Sequence, residues 1–155
     1  MKGDSNGKDK KMRAEDGRIK SDLKERTREF ALNIIGIYSQ LPKRREAQVI
    51  SDQILRSGTS VGADFREAQR AKSNLDFISK IEGGMQELEE TEYWLELLEG
   101  ARFCGRDQLE PLTNEADQLM AIFVPIVRKT KAGMSVEDSR DGRVRVTCSS
   151  RRIAT

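Results

Sequence analysis

Apolar side chains recur at three- and four-residue steps in four stretches of the chain, with polar residues between them. That period belongs to amphipathic helices. In the first stretch Leu23, Phe30, Ala31, Ile34, Ile35, Ile37, Tyr38 and Leu41 share a face, with Lys24, Arg26 and Arg28 opposite. Pro42 ends it, because the residue before a proline avoids helical torsions. A basic loop, Lys43-Arg44-Arg45, follows. The second stretch runs from about Glu46 to Lys72 along Val49, Ile50, Ile54, Leu55, Val61, Phe65 and Ala68.

The middle of that second helix, Ser57-Gly58-Thr59-Ser60-Val61-Gly62-Ala63, is a run of small residues. Each glycine inside a helix costs about 1 kcal/mol relative to alanine. Close packing against a neighbouring helix is the expected compensation, and a break into two helices at Gly58 is the alternative. Ser73 and Asp76 form a capping box for the third helix, which carries Leu75, Ile78, Ile81, Met85, Leu88, Leu95 and Leu98 to about Phe103. Its other face is acidic, with Glu82, Glu87, Glu89, Glu90, Glu92, Glu96 and Glu99. Gly105 closes it. Asp107 and Glu110 are the expected cap of the fourth helix, which presents Leu112, Ala116, Leu119, Ile122, Phe123, Ile126 and Val127. Pro125 is expected to kink that helix near its end.

The pattern predicts an all-α fold, an up-down antiparallel four-helix bundle over residues 21–131. Residues 1–20 and 132–155 lack the period and read as disordered, flexible basic tails. Val144 and Val146 alternate with arginines, a strand signal too short to stand alone.

At 155 residues the chain fits a single domain. No apolar run approaches the ~18 residues of a membrane span, and the N-terminus has no apolar stretch of the secretory kind. No membrane partner is therefore expected, and the expected location is the cytoplasm. The chain has no histidine, which removes His-dependent triads, His-ligated metals and a near-neutral proton switch. Cys104 and Cys148 form no CxxC and read as free thiols.

Charge is unevenly spread. Residues 1–20 carry +3, residues 21–127 carry −6 and residues 128–155 carry +5. An acidic body thus sits between two basic ends, and basic arms can hold nucleic acid through its phosphates. Lys43, Arg44 and Arg45 are the structured candidates for that contact, and Arg140, Arg143, Arg145, Arg151 and Arg152 the flexible ones. Catalytic chemistry finds little footing. Glu67, Glu82, Glu87 and Glu90 could in principle hold a metal, but a ferritin-like site needs histidines that this chain lacks. Gly58 and Gly62 are not part of a phosphate-binding loop. Neither a cofactor nor enzymatic activity is expected.

The segment Asp52-Gln53-Ile54-Leu55-Arg56-Ser57-Gly58-Thr59-Ser60-Val61-Gly62-Ala63 resembles a signature of the bacterial four-helix-bundle proteins related to those encoded in 23S ribosomal RNA intervening sequences. A second signature of that family is similar to Ile78-Ser79-Lys80-Ile81, then Glu87, Glu90-Thr91 and Tyr93-Trp94-Leu95-Glu96-Leu97-Leu98. Leu41-Pro42 matches as a helix end. The likeness spans roughly residues 22–130. Asp64 departs from it, standing where the family usually has Asn.

The resemblance implies an up-down bundle that assembles as a ring, commonly a homopentamer. Relatives include the accessory protein of diversity-generating retroelements, which binds nucleic acid and a reverse transcriptase. The expected function is a non-enzymatic oligomeric binding or scaffold protein that contacts RNA or DNA through its basic loop and tails. The alternative is a protein–protein interaction module, such as a polymerase or reverse-transcriptase accessory subunit, without nucleic-acid contact. Arg56 and Ser60 are expected to be structural, with Arg56 partly buried and paired to Glu87 or Glu90. Gly58, Gly62, Tyr93 and Trp94 are the expected interface between subunits.

Overall fold

The computed structural model describes the backbone of residues 5–141 and the side chains of residues 11–135. Four helices follow one another: α1 (Ser5–Gln40), α2 (Arg45–Ala68), α3 (Asn74–Gly100) and α4 (Arg106–Asp141). Among the described residues there is no strand. The helices form the expected up-down bundle. Each packs against its neighbours in sequence, α4 returns to α1, and that last seam is the loosest of the four.

The core is the inner stripe of each helix. Leu23, Phe30 and Ile34 come from α1, Ile54, Val61 and Phe65 from α2, Ile81, Leu88 and Leu95 from α3, and Leu112, Leu119 and Phe123 from α4. Phe65 and Phe123 stack across the diagonal with ring centroids 5.9 Å apart, filling the space between α2 and α4. Ile35, Tyr38, Val49 and Leu75 belong to the apolar stripes of the sequence but stand exposed, because the stripes are wider than the core they face.

Glycine does not break α2, which runs unbroken through Gly58 and Gly62. Both glycines are buried against α1. A Cβ on Gly58 would lie 2.7 Å from Ile34 Cγ1, and one on Gly62 would lie 3.4 Å from the Thr27 carbonyl oxygen. Their propensity cost is offset by this close approach, within one chain.

Helix ends follow local chemistry. The Ser73 hydroxyl accepts the Asp76 amide at 3.1 Å, and the Asp76 carboxylate accepts the Lys72 amide at 3.0 Å. The start of α4 differs from the expected Asp107–Glu110 box. Asp107 lies inside the first turn, and Gln108 reaches back instead, its Oε1 accepting the Gly105 amide at 3.3 Å. At the end of α3 the left-handed residue is Arg102, with φ of 58°, rather than Gly105. The Phe103 amide donates to the Leu98 carbonyl and the Arg102 amide to the Glu99 carbonyl, the paired bonds of a Schellman turn.

Two helices outrun the apolar period. The backbone of α1 is helical from Ser5, although residues 5–20 were expected to be without order, and α4 continues past Pro125 to Asp141. Side chains over 11–20 are all exposed, so this turn-by-turn extension owes nothing to the core. It is rich in helix formers and carries the spaced ion pairs Arg18–Glu15 and Lys20–Asp16.

Candidate functional site

The seam between α2 and α3 carries a polar layer. Ser57 and Thr91 are buried and their hydroxyls meet at 2.8 Å. Ser57 donates to the Gln53 carbonyl at 2.9 Å, and Thr91 reaches the Glu87 carbonyl at 2.7 Å. Outside this layer Arg56 pairs with Glu90 and lies 3.6 Å from Glu87. The Trp94 indole N–H also donates to Glu90 Oε1, at 3.1 Å. Arg56 is not buried as expected: its side chain is 53% exposed, and the carboxylates are the more enclosed partners. Ser60 donates to the Arg56 carbonyl one turn back, a bond within its own helix.

Burial divides the acids of this seam. The Arg56 hydrogen bond, with that of Trp94, holds the Glu90 carboxyl below its ordinary range. Desolvation pushes Glu87 up against the pull of Arg56, and Glu87 Oε2 is buried without a hydrogen-bond partner. Asp64 is also raised, chiefly by burial and then by Glu67. Its Oδ2 would lie 3.3 Å from a Cβ on Gly83, so glycine there gives the carboxylate its room. On the α4 side of α3, Glu92 is raised by burial and by Asp117, Glu89 and Glu96, and its Oε1 is likewise unpartnered. These acids do not assemble as ligands: among the described residues no cluster of His, Cys, Asp or Glu could hold a metal ion.

Part of the acidic face is neutralised within the chain. Besides the Arg56 pairs, Lys80 meets Glu67 at 2.5 Å and Lys131 meets Glu82 at 2.6 Å. Glu89, Glu96 and Glu99 are exposed and make no ion pair among the described residues. The four residues expected at a subunit interface fall in two groups. Gly58 and Gly62 are spent on the α1 contact and offer no outer surface. Tyr93 is 53% exposed, and its ring rests on the half-buried Trp94 with centroids 5.0 Å apart.

The basic candidates also separate. Lys43 and Arg44 are exposed in the α1–α2 connection and Arg45 is exposed as the first residue of α2, beside the α3–α4 connection. There Arg44 pairs with Glu46 at 2.8 Å and lies over the Phe103 ring at 5.7 Å. Cys104 is half-buried nearby, its thiol donating to Gln108 Oε1 at 3.1 Å, and burial raises it above its ordinary range. The side chain of Arg140 lies outside the described residues, as do Cys148, Arg143, Arg145, Arg151 and Arg152.

Sequence reasoning missed the other end of the bundle. There the N-terminal part of α1, the α2–α3 connection and the C-terminal part of α4 converge. Segments 11–20, 66–76 and 128–131 bring ten basic and four acidic residues, a net +6. The two connections at the Lys43 end, 41–46 and 99–107, bring five and three, a net +2. Lys20 lines two adjoining hollows, one shared with Lys72 and the other with Lys129. The signal was present as short basic runs, such as Arg70 and Lys72 and Arg128-Lys129, but they lie some fifty residues apart in sequence.

Comparison with known proteins agrees with this architecture. No match is found among curated proteins. A solved structure from Bacteroides thetaiotaomicron VPI-5482, described as a protein of unknown function from the S23 ribosomal protein family, is 39% identical with a TM-score of 0.66. The match covers 70% of this chain and 97% of that one. No helix among the described residues is long and apolar enough to cross a membrane. The family model for the 23S rRNA-intervening sequence protein matches residues 20–124, most of the bundle, and the chain belongs to that family.

Proposed function

We propose that the protein is a non-enzymatic, self-associating scaffold of the cytoplasm that holds RNA or DNA at the end of the bundle where α1, the α2–α3 connection and α4 meet. The observation that carries this reading is the convergence of three basic segments, with Lys20, Lys72 and Lys129 around one pair of hollows. The exposed acids Glu89 and Glu96 along α3, and Glu99 at its far end, repel phosphate and so leave the basic end as the docking face. Self-association draws on the apolar side chains that the core leaves outside. Ile35, Tyr38 and Val49 on α1 and α2, and Tyr93 on α3, are exposed and offer two patches on different helices, which a head-to-tail ring can join. Five subunits is the number that the family resemblance implies. A protein partner, such as a polymerase or reverse transcriptase, could use the same apolar side chains and is the second reading.

Salt dependence tests the nucleic-acid reading. For single strands the slope of log K against log salt is about −0.7 per phosphate neutralised. Replacing Lys20, Lys72 and Lys129 together by alanine is expected to weaken binding of a labelled RNA strand and to flatten the slope by about two. The Lys43→Ala/Arg45→Ala variant is expected to change it less. Binding that is unaffected by the three lysines rejects this reading.

A further inference from the structure

The larger hollow at the basic end is a cavity of about 480 Å³, within the size range of small-molecule sites. Its floor is apolar: Leu23 from α1, Phe65 from α2, Phe77 from α3 and Ile126 from α4. Leu23 and Phe65 are already core residues, while Phe77 is only half-buried and leaves ring surface open. Lys20 and Lys129 stand at its edge, and Lys72 lines an adjoining hollow of about 340 Å³ that shares Lys20, Gln69, Asn74 and Phe77. Asp16 holds Lys20 at 2.7 Å, and an ammonium with three donors can serve a phosphate as well.

We propose that this cavity takes an unpaired nucleobase of a bound strand, with the adjoining phosphates on Lys20, Lys72 and Lys129. The assignment rests on the nucleic-acid reading above and goes beyond it, since phosphate contacts alone need no cavity. Three features match a base and its phosphate together. The aromatic and aliphatic floor accepts a planar ring, a contact that tolerates any base. The amides of Gln69 and Asn74 line the walls with the donors and acceptors that base edges use, and the Thr130 hydroxyl, which donates to the Ile126 carbonyl at 2.9 Å, keeps an acceptor lone pair there. The three lysines come from three different segments, Lys20 and Lys129 lining the cavity and Lys72 the adjoining hollow, so one ligand with a flat apolar part and a nearby negative charge satisfies both hollows.

Gly133 supplies a clean test. It lines the cavity, is exposed, and a Cβ built on it meets nothing within 4 Å. Gly133→Phe therefore fills the cavity mouth without entering the core; its ring neighbours Lys129 one turn back, whose charge is kept and whose phosphate contact the abasic strand reads separately, and Gly133→Ala leaves the cavity open. Two labelled strands of equal length are compared on the full chain, one of uridines and one abasic with the same phosphates. The wild type and Gly133→Ala are expected to bind the uridine strand about tenfold or more tightly than the abasic strand. Gly133→Phe is expected to bind both at the abasic level, with circular dichroism unchanged. Equal affinity of the wild type for the two strands, or a preference that survives the plug, overturns the pocket while leaving phosphate binding intact. Failure of the wild type to bind either strand overturns the nucleic-acid reading itself, and the pocket with it.

Discussion

Gly58→Ala adds one methyl group at the tightest point between α1 and α2. The new Cβ would fall 2.7 Å from Ile34 Cγ1 and 3.1 Å from both Cδ1 and Cγ2. Ile34 is fully buried, so all three of its outer carbons crowd the methyl and no rotamer withdraws them together. Overpacking of this kind costs about 1–3 kcal/mol. Alanine returns about 1 kcal/mol of helix propensity over glycine. The net expectation is a loss of up to about 2 kcal/mol, at about 2–4 °C of Tm for each kcal/mol in a chain of this size. Gly36 on α1 is the control, since a Cβ there meets nothing within 4 Å. Gly36→Ala should gain about 1 kcal/mol from propensity alone.

The Ile34→Ala background sharpens this test. That change removes all three carbons that oppose the methyl, at a cost of about 2–5 kcal/mol of its own. Gly58→Ala should then reverse sign and stabilise. Urea unfolding followed by circular dichroism, at one protein concentration because self-association shifts apparent stability, reads all four corners of the cycle. If Gly58→Ala raises stability in the wild-type background as much as Gly36→Ala does, the close approach is not what offsets the glycines, and the packing argument fails.

Other expectations follow from the caps and the buried acids. Arg102→Gly relieves a left-handed residue with a side chain and should stabilise by about 1 kcal/mol, raising Tm; an unchanged or lower Tm contradicts the Schellman assignment. Thr91→Val removes the buried hydroxyl pair with Ser57 and should cost about 1 kcal/mol in urea unfolding, whereas a neutral result would show the pair contributes nothing. Glu92→Gln should raise Tm by a few degrees at pH 7. Because burial holds the folded-state carboxyl of Glu92 above its unfolded value, the charged form opposes folding. The gain should therefore shrink as pH falls through the raised value toward the ordinary carboxylate range. A gain independent of pH rules out the charge as its cause. Glu90 has the opposite sign, so Glu90→Gln should lose stability at neutral pH, and the difference should fade as pH drops below the ordinary carboxylate range.

Period and caps made much of the bundle legible. The stripes around Phe30, Ile54, Leu88 and Leu119 are the core, and Ser73 caps α3 where the sequence places it. Three things were hidden, each for a physical reason. Apolar character does not distinguish Ile34 from Ile35, which sit side by side in sequence but on and off the core face of α1. Helix formed from charged residues has no apolar period, so the reach of α1 back to Ser5 could not be read from one. The small-residue run announced a close neighbour without naming it, and the neighbour is α1 of the same chain rather than a second subunit. The basic end was hidden for a related reason, since Lys20, Lys72 and Lys129 meet only once the helices have turned back on themselves.

Lysine footprinting asks the central question most directly. The full chain is acetylated with and without a saturating RNA strand, and the modification of each lysine is read by mass spectrometry. RNA is expected to protect Lys20, Lys72 and Lys129 together while Lys43, at the opposite end, stays as reactive as before. Protection of Lys43 with the other three unchanged would contradict it.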